Sequence, residues 1–232
     1  LEEIGIYRFD RKTALGLFRK RSLPLLFAQG FFGVFPWNVI TYWFFHYLET
    51  ERAYSSDDVM TTMVVAVLVL ASGYFVGGAL GDLFFRRTPR GRLIVCTIAV
   101  LLGAVLFSIT LNVPLGNRTL FVVMLGFTAL FIPFASPNVV STIYDVTLPE
   151  VRSTALAIQY FIESAGAALA PWLAGFIADR SSMGDALLLI CVSTWVLCSI
   201  FFAVAAYLIP RDIEELRSQM RRRAEQERGG GS

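Results

Sequence analysis

Glu163 is the carboxylate with most to explain in this chain. It sits in QYFIESAGAALA, inside an apolar run that holds no lysine or arginine. On a helix, Gln159 lies one turn earlier on the same face, and Tyr160 lies three residues before Glu163. A carboxyl group at membrane depth is costly and marks a functional site by default. It can carry a coupling proton, or it can contact a cationic or polar head group. The plainer alternative is a protonated, hydrogen-bonded residue that holds two helices together. A second polar set is Asn38, Tyr42 and His46, spaced every four residues, with Thr41 beside them. That stripe can line a cavity, although His46 equally suits the outer membrane boundary. Gln29, beside Gly30 and Gly33, fits a cavity wall or a close helix contact. A third set lies in FIPFASPNVVSTIYD, where Pro133 and Pro137 interrupt helix hydrogen bonds. Asn138, Ser141 and Tyr144 can then face a cavity, or Asn138 and the serines can satisfy the freed backbone.

Other chemistries find little support. His46 is the only histidine, and Cys96, Cys191 and Cys198 all fall in apolar runs with no CxxC or HxxxH spacing. No metal or cofactor is expected. An intramembrane protease would need a Ser–His pair or facing aspartates, and no GxSG occurs. An enzyme is therefore not expected.

The elements that carry these residues are membrane helices. The chain is 56% hydrophobic and 16% charged, with mean hydropathy +0.62, whereas soluble domains average about 25% charged residues. Six apolar runs, 22–48, 58–82, 92–111, 119–145, 153–178 and 184–209, are long enough to cross a bilayer. None alternates with the period of a barrel strand. The expected fold is an all-helical membrane protein of six spans.

Of the 20 lysines and arginines, all but Arg52, Arg118 and Arg180 fall on one side of these spans. The positive-inside rule then places both termini in the cytoplasm. Residues 1–21 read as a cytoplasmic linker segment, 22–209 as the bundle and 210–228 as a cytoplasmic tail. The final Gly-Gly-Gly-Ser, 229–232, reads as an appended linker. In the tail, Ile213, Leu216 and Met220 have helical spacing, so it either lies on the anionic inner leaflet or is a solvated helix. Nucleic-acid binding is not expected, because the basic residues sit at the membrane edge.

The turn GGALGDLFFRRTPRGR joins spans two and three. Gly77, Gly78 and Gly81 let helix backbones approach. Asp82 can accept hydrogen bonds from a helix start, with the start of span five, near Ser153 and Thr154, as the expected partner. The arginines that follow can clamp Asp145, at the end of span four, and Glu150, in DVTLPEVRST next to Arg152. This turn resembles the signature loop of the major facilitator superfamily, Gly-x-x-x-Asp-(Arg/x)-x-x-Arg-Arg. Gly78, Asp82, Arg86 and Arg87 match, while Leu83 replaces the arginine often found after the aspartate. LAPWLAGFIADR repeats the Gly-x-x-x-Asp spacing at Gly175 and Asp179, at the end of span five. That echo is expected of an inverted three-plus-three repeat. LPEVRSTALAIQYFIESAGAALAPWLAGFIAD further resembles the eleventh helix of bacterial, Spinster-like members.

The resemblance implies the C-terminal half of a twelve-helix secondary transporter in a bacterial inner membrane. That half would move a small amphipathic or lipid-like solute by alternating access, with a proton as candidate coupling ion. Its first and fourth helices would line the pathway. The missing N-terminal half, or a second copy of the chain, would complete it. The alternative is a membrane binding or assembly module that does not transport.

Overall fold

The structure is a computed structural model and describes residues 16–229. It is helical, with no strand among the described residues. The elements are α1 (Leu23–Thr50), α2 (Ser56–Phe85), α3 (Gly91–Leu111), α4 (Arg118–Phe131), α5 (Ala135–Val146), α6 (Arg152–Ala178) and α7 (Met183–Gly229). Short 3-10 turns at Ile132–Phe134 and Pro149–Val151 precede α5 and α6. Six segments are long and apolar enough to span a membrane, with α4, the first 3-10 turn and α5 forming the fourth. The protein is an integral membrane protein by this measure.

Local signals explain the boundaries. Ser55 caps α2, its side chain accepting from the Asp58 amide, and Asp57 and Asp58 complement the helix dipole in the first turn. Asn117 caps α4 in the same way, accepting from the Leu120 amide at 3.1 Å. Pro133 falls in the 3-10 turn, where its missing amide tightens the fourth span instead of ending it. Pro36, Pro171 and Pro210 lie inside their helices.

Packing joins α1 to α6 and α7, and α3 to α7. The fourth span packs in turn on α2 and α3. Phe44, Phe107 and Phe121 are fully buried between these helices, and Trp195 meets Phe107 edge-on at 5.4 Å. Coverage is uneven, however. Only 11% of the apolar window of span two and 17% of that of span five is buried, against 50% for span three. Spans two and five thus present the barest faces of the bundle.

The ends of α1 and α7 cap each other. Buried Asp212 accepts from the Ser22 amide at 2.8 Å and from the Ser22 hydroxyl at 2.6 Å, at the start of α1. At the opposite end, Glu51 accepts from the Met183 and Gly184 amides at 2.6 and 3.0 Å, at the start of α7. Two antiparallel helices therefore satisfy each other's orphan N–H groups with carboxylates. Next to Glu51, Arg52 is buried, lies 3.9 Å over the Phe121 ring and donates to the Val113 carbonyl at 3.1 Å.

The tail differs from both expectations. α7 runs on through Pro210, and Ile213 and Leu216 are buried against the bundle, while Met220 is exposed. Burial of that apolar stripe favours continuing the helix, and the Asp212 cap anchors it. Lys20 pairs with Glu215 at 3.2 Å, and Arg223 with Glu150 at 2.7 Å.

Candidate functional site

The polar centre forms where α1 and α6 cross. Gly166 sits against the Phe31 carbonyl, close enough that a methyl group there would overlap it. Two turns nearer the start of α6, Gly30 faces Gln159 with so little room that only glycine admits the amide at this place. Gln159 is buried, and its Nε2 donates to Glu163 Oε1 at 2.7 Å. That bond fixes the amide's orientation. It leaves Gln159 Oε1 buried with no hydrogen-bond partner among the described residues. Such an atom costs free energy unless something donates to it. Glu163 is half-buried, about 16 Å along α6 from Arg152 at helical rise.

These groups open onto a cavity of about 260 Å³. Gln29, Tyr160 and Ser136 also line it, and its lining holds no lysine, arginine or histidine. A second cavity of about 480 Å³ lies between α1, α2 and α4 and is almost wholly apolar; Met60, Met63, Leu68 and Phe45 contribute. The two share Trp37, Leu70, Ile132 and Trp195.

The structure brings together only part of the expected pathway set. Gln29, Gln159, Tyr160 and Glu163 converge, and Thr41 lines the apolar cavity. Asn38 turns back to donate to the Val34 carbonyl at 2.9 Å and lines neither cavity. Tyr42 is 68% exposed and points away from the bundle. Asn138 is 1% exposed and donates to the Gly77 and Phe134 carbonyls at 2.9 and 2.7 Å, so it clamps span four to span two. Ser141 is half-buried and lines neither cavity. His46 is exposed beside Trp43, consistent with an interfacial position. Sequence reasoning missed Ser136 and Tyr74 in the cavity wall, and it missed Trp37, which borders both cavities. The available signal was that Ser136 lies one helical turn from Val140 and two from Ile143, all on one wall.

The arginine-rich turn is also wired differently from expectation. Arg92, at the start of α3, is the bridging residue. Its Nε and Nη2 donate to Asp82 Oδ1 at 3.2 and 2.8 Å, and its Nη1 donates to Asp145. Its guanidinium lies 4.0 Å over Phe85. Asp82 therefore faces Arg92 and not the start of span five, because Arg92 reaches it within a single turn of chain. Arg86 and Arg87 are exposed and form no ion pair among the described residues. Glu150 is held by Arg223, and Arg152 donates to the Tyr144 carbonyl at 3.2 Å. Of the glycines, Gly77 and Gly81 sit where a methyl would overlap Phe134 and Asn138, but a methyl at Gly78 would meet Pro137 at an ordinary 3.7 Å.

No protein-family model matches the chain, and no curated protein matches it at a significant level.

Proposed function

We propose that the chain is the C-terminal six-helix half of a secondary active transporter of the major facilitator type. It moves a small amphipathic or lipid-like solute by alternating access, with Glu163 as candidate proton carrier. The observation that carries this reading is the Gln159–Glu163 pair, a polar centre at membrane depth that opens onto a cavity. Structural carboxylates in lipid are normally closed off by partners, whereas this one keeps a free oxygen and an accessible wall.

Two further observations support it. Packing of α1 on α6 and α7 is matched by packing of span four on α2 and α3. That is the pattern a three-plus-three inverted repeat would produce. The bare faces of spans two and five are where a second half, or a second copy of the chain, would sit. The arginine-rich turn, the Arg92 bridge and the tail all lie at the end read as cytoplasmic, and a bacterial inner membrane is the expected setting. A non-transporting assembly module would also have bare faces, but it has no need of a carboxylate beside a cavity. We read the chain as a transporter component and not as an enzyme.

The test is uptake into proteoliposomes by the chain paired with its other half, using a panel of amphipathic and polar solutes with and without a proton gradient. Saturable, gradient-sensitive uptake of one class is expected. Binding without any uptake would favour the assembly module.

A further inference from the structure

We propose that the two adjoining cavities together bind one single-chain amphiphile whose head is a protonated amine. The proposal rests on the transporter reading and names the substrate class for the same site.

The head cavity displays acceptors. Glu163 Oε1 already accepts from Gln159, and its Oε2 accepts from none of the described residues. Gln159 Oε1 is buried without a donor. Turning the amide over would break the Nε2–Glu163 hydrogen bond and set the amide oxygen against the Glu163 carboxylate. The two oxygens without a donor among the described residues are thus one of the carboxylate and one of the amide; the hydroxyls of Ser136, Tyr74 and Tyr160 add neutral groups, and the described lining holds no cationic side chain. An ammonium group complements the site in charge and supplies two or more N–H donors in one small head. A carboxylate or phosphate head could take hydrogen bonds from the hydroxyls of Ser136, Tyr74 and Tyr160, but it would meet the like charge of Glu163 with no cation among the described lining residues.

The tail follows from the shared wall. Trp37, Leu70, Ile132 and Trp195 border both cavities, so a chain attached to a head at Glu163 can continue past them into the apolar cavity. There it meets Met60, Met63, Leu68 and Phe45. Methionine side chains adapt to flexible apolar ligands. A neutral hydroxyl would donate a single hydrogen bond and leave the carboxylate charge unmatched, and a small polar cation would leave the larger cavity empty.

The experiment measures binding of radiolabelled dodecylammonium to the chain in lipid nanodiscs, relative to empty nanodiscs. Dodecyltrimethylammonium, dodecanol and dodecanoate serve as competitors. Hydrogen bonds to charged groups imply that dodecylammonium binds roughly tenfold or more tightly than dodecanol. The trimethyl ligand, which has charge but no N–H, should fall between them, and dodecanoate should be weakest. Glu163→Gln should bring dodecylammonium to within about threefold of dodecanol, since it removes the charge-assisted bond. Met63→Trp fills the tail cavity, so it should weaken all the dodecyl ligands while preserving their order. The Met63→Trp result and the wild-type ligand series decide the matter even if Glu163→Gln does not fold. Equal binding of dodecanol and dodecylammonium to the wild type would overturn the proposal. So would a preference for dodecanoate, or no binding above empty discs. None of these results would remove the transporter reading, which stands or falls on solute uptake.

Discussion

The interface between α2 and span four and the interface between α1 and α6 both use glycine to bring two backbones together, yet they end in opposite chemistry. On α2, Gly73, Gly77 and Gly81 form a stripe that meets the Leu130 carbonyl, the Phe134 backbone and the Asn138 amide. Asn138 closes that seam by donating to two carbonyls from a side chain that is 1% exposed. On α1, Gly30 receives the end of a flexible side chain, Gln159, and beside it Glu163 stays half-exposed with a cavity in front. The difference lies in what faces the glycine. A backbone or a doubly bonded amide makes a rigid, dry seam, while a partly satisfied side chain makes a site. In lipid, where close packing drives helix association, the first arrangement supplies stability and the second spends it.

Substitutions at the glycines can break this comparison. Gly77→Ala should have the largest effect on stability. Its methyl would strike Phe134 backbone, which cannot rotate away, so a loss of about 1–3 kcal/mol is expected in detergent unfolding. Next comes the Arg92 bridge. Arg92→Ala would leave Asp145 partly buried without its donor, at a cost on the order of 1–2 kcal/mol in the same assay. Asp82→Ala should cost less than about 1 kcal/mol, because the Asp82 side chain is 61% exposed and surface pairs are screened. If Asp82→Ala proved the more damaging, Asp82 would have to hold a contact beyond Arg92.

Gly30→Ala should separate stability from function. The overlapping atoms belong to the end of Gln159, which can swing away, so unfolding should shift by less than about 1 kcal/mol. The Gln159–Glu163 bond would be lost, and ligand binding or transport should fall at least tenfold, as measured by uptake or nanodisc binding. Equal loss of fold and function would make the α1–α6 seam another structural contact. Gly78→Ala, the motif glycine, should be nearly silent, within about 0.5 kcal/mol, since its methyl would meet Pro137 at ordinary distance.

These residues also mark what the sequence could reveal. The six spans were legible because hydropathy and length are local properties. Gln159 and Glu163 could be paired because helical geometry brings residues four apart together. The contact of Gln159 with Gly30 could not be read, since the two meet only when α1 and α6 are packed. The turn motif suggested that arginine would clamp aspartate but pointed to Arg86 and Arg87, and only the approach of α3 to α5 selects Arg92. The caps of Asp212 on Ser22 and of Glu51 on α7 join residues more than a hundred positions apart and leave no trace in spacing. The sequence divided the bundle from the tail at residue 210, where proline removes one helix hydrogen bond. Burial of Ile213 and Leu216 outweighs that loss in the folded chain.

Uptake driven by an imposed proton gradient, compared for wild type and Glu163→Gln in proteoliposomes that hold the chain with its other half, tests the central claim most directly. Glutamine keeps the shape and can still bond to Gln159, but it cannot gain or lose a proton. Gradient-driven uptake in the wild type, lost in Glu163→Gln with the protein still folded, is the predicted result. Equal gradient-driven uptake by both proteins would contradict the account and reduce Glu163 to a structural polar residue.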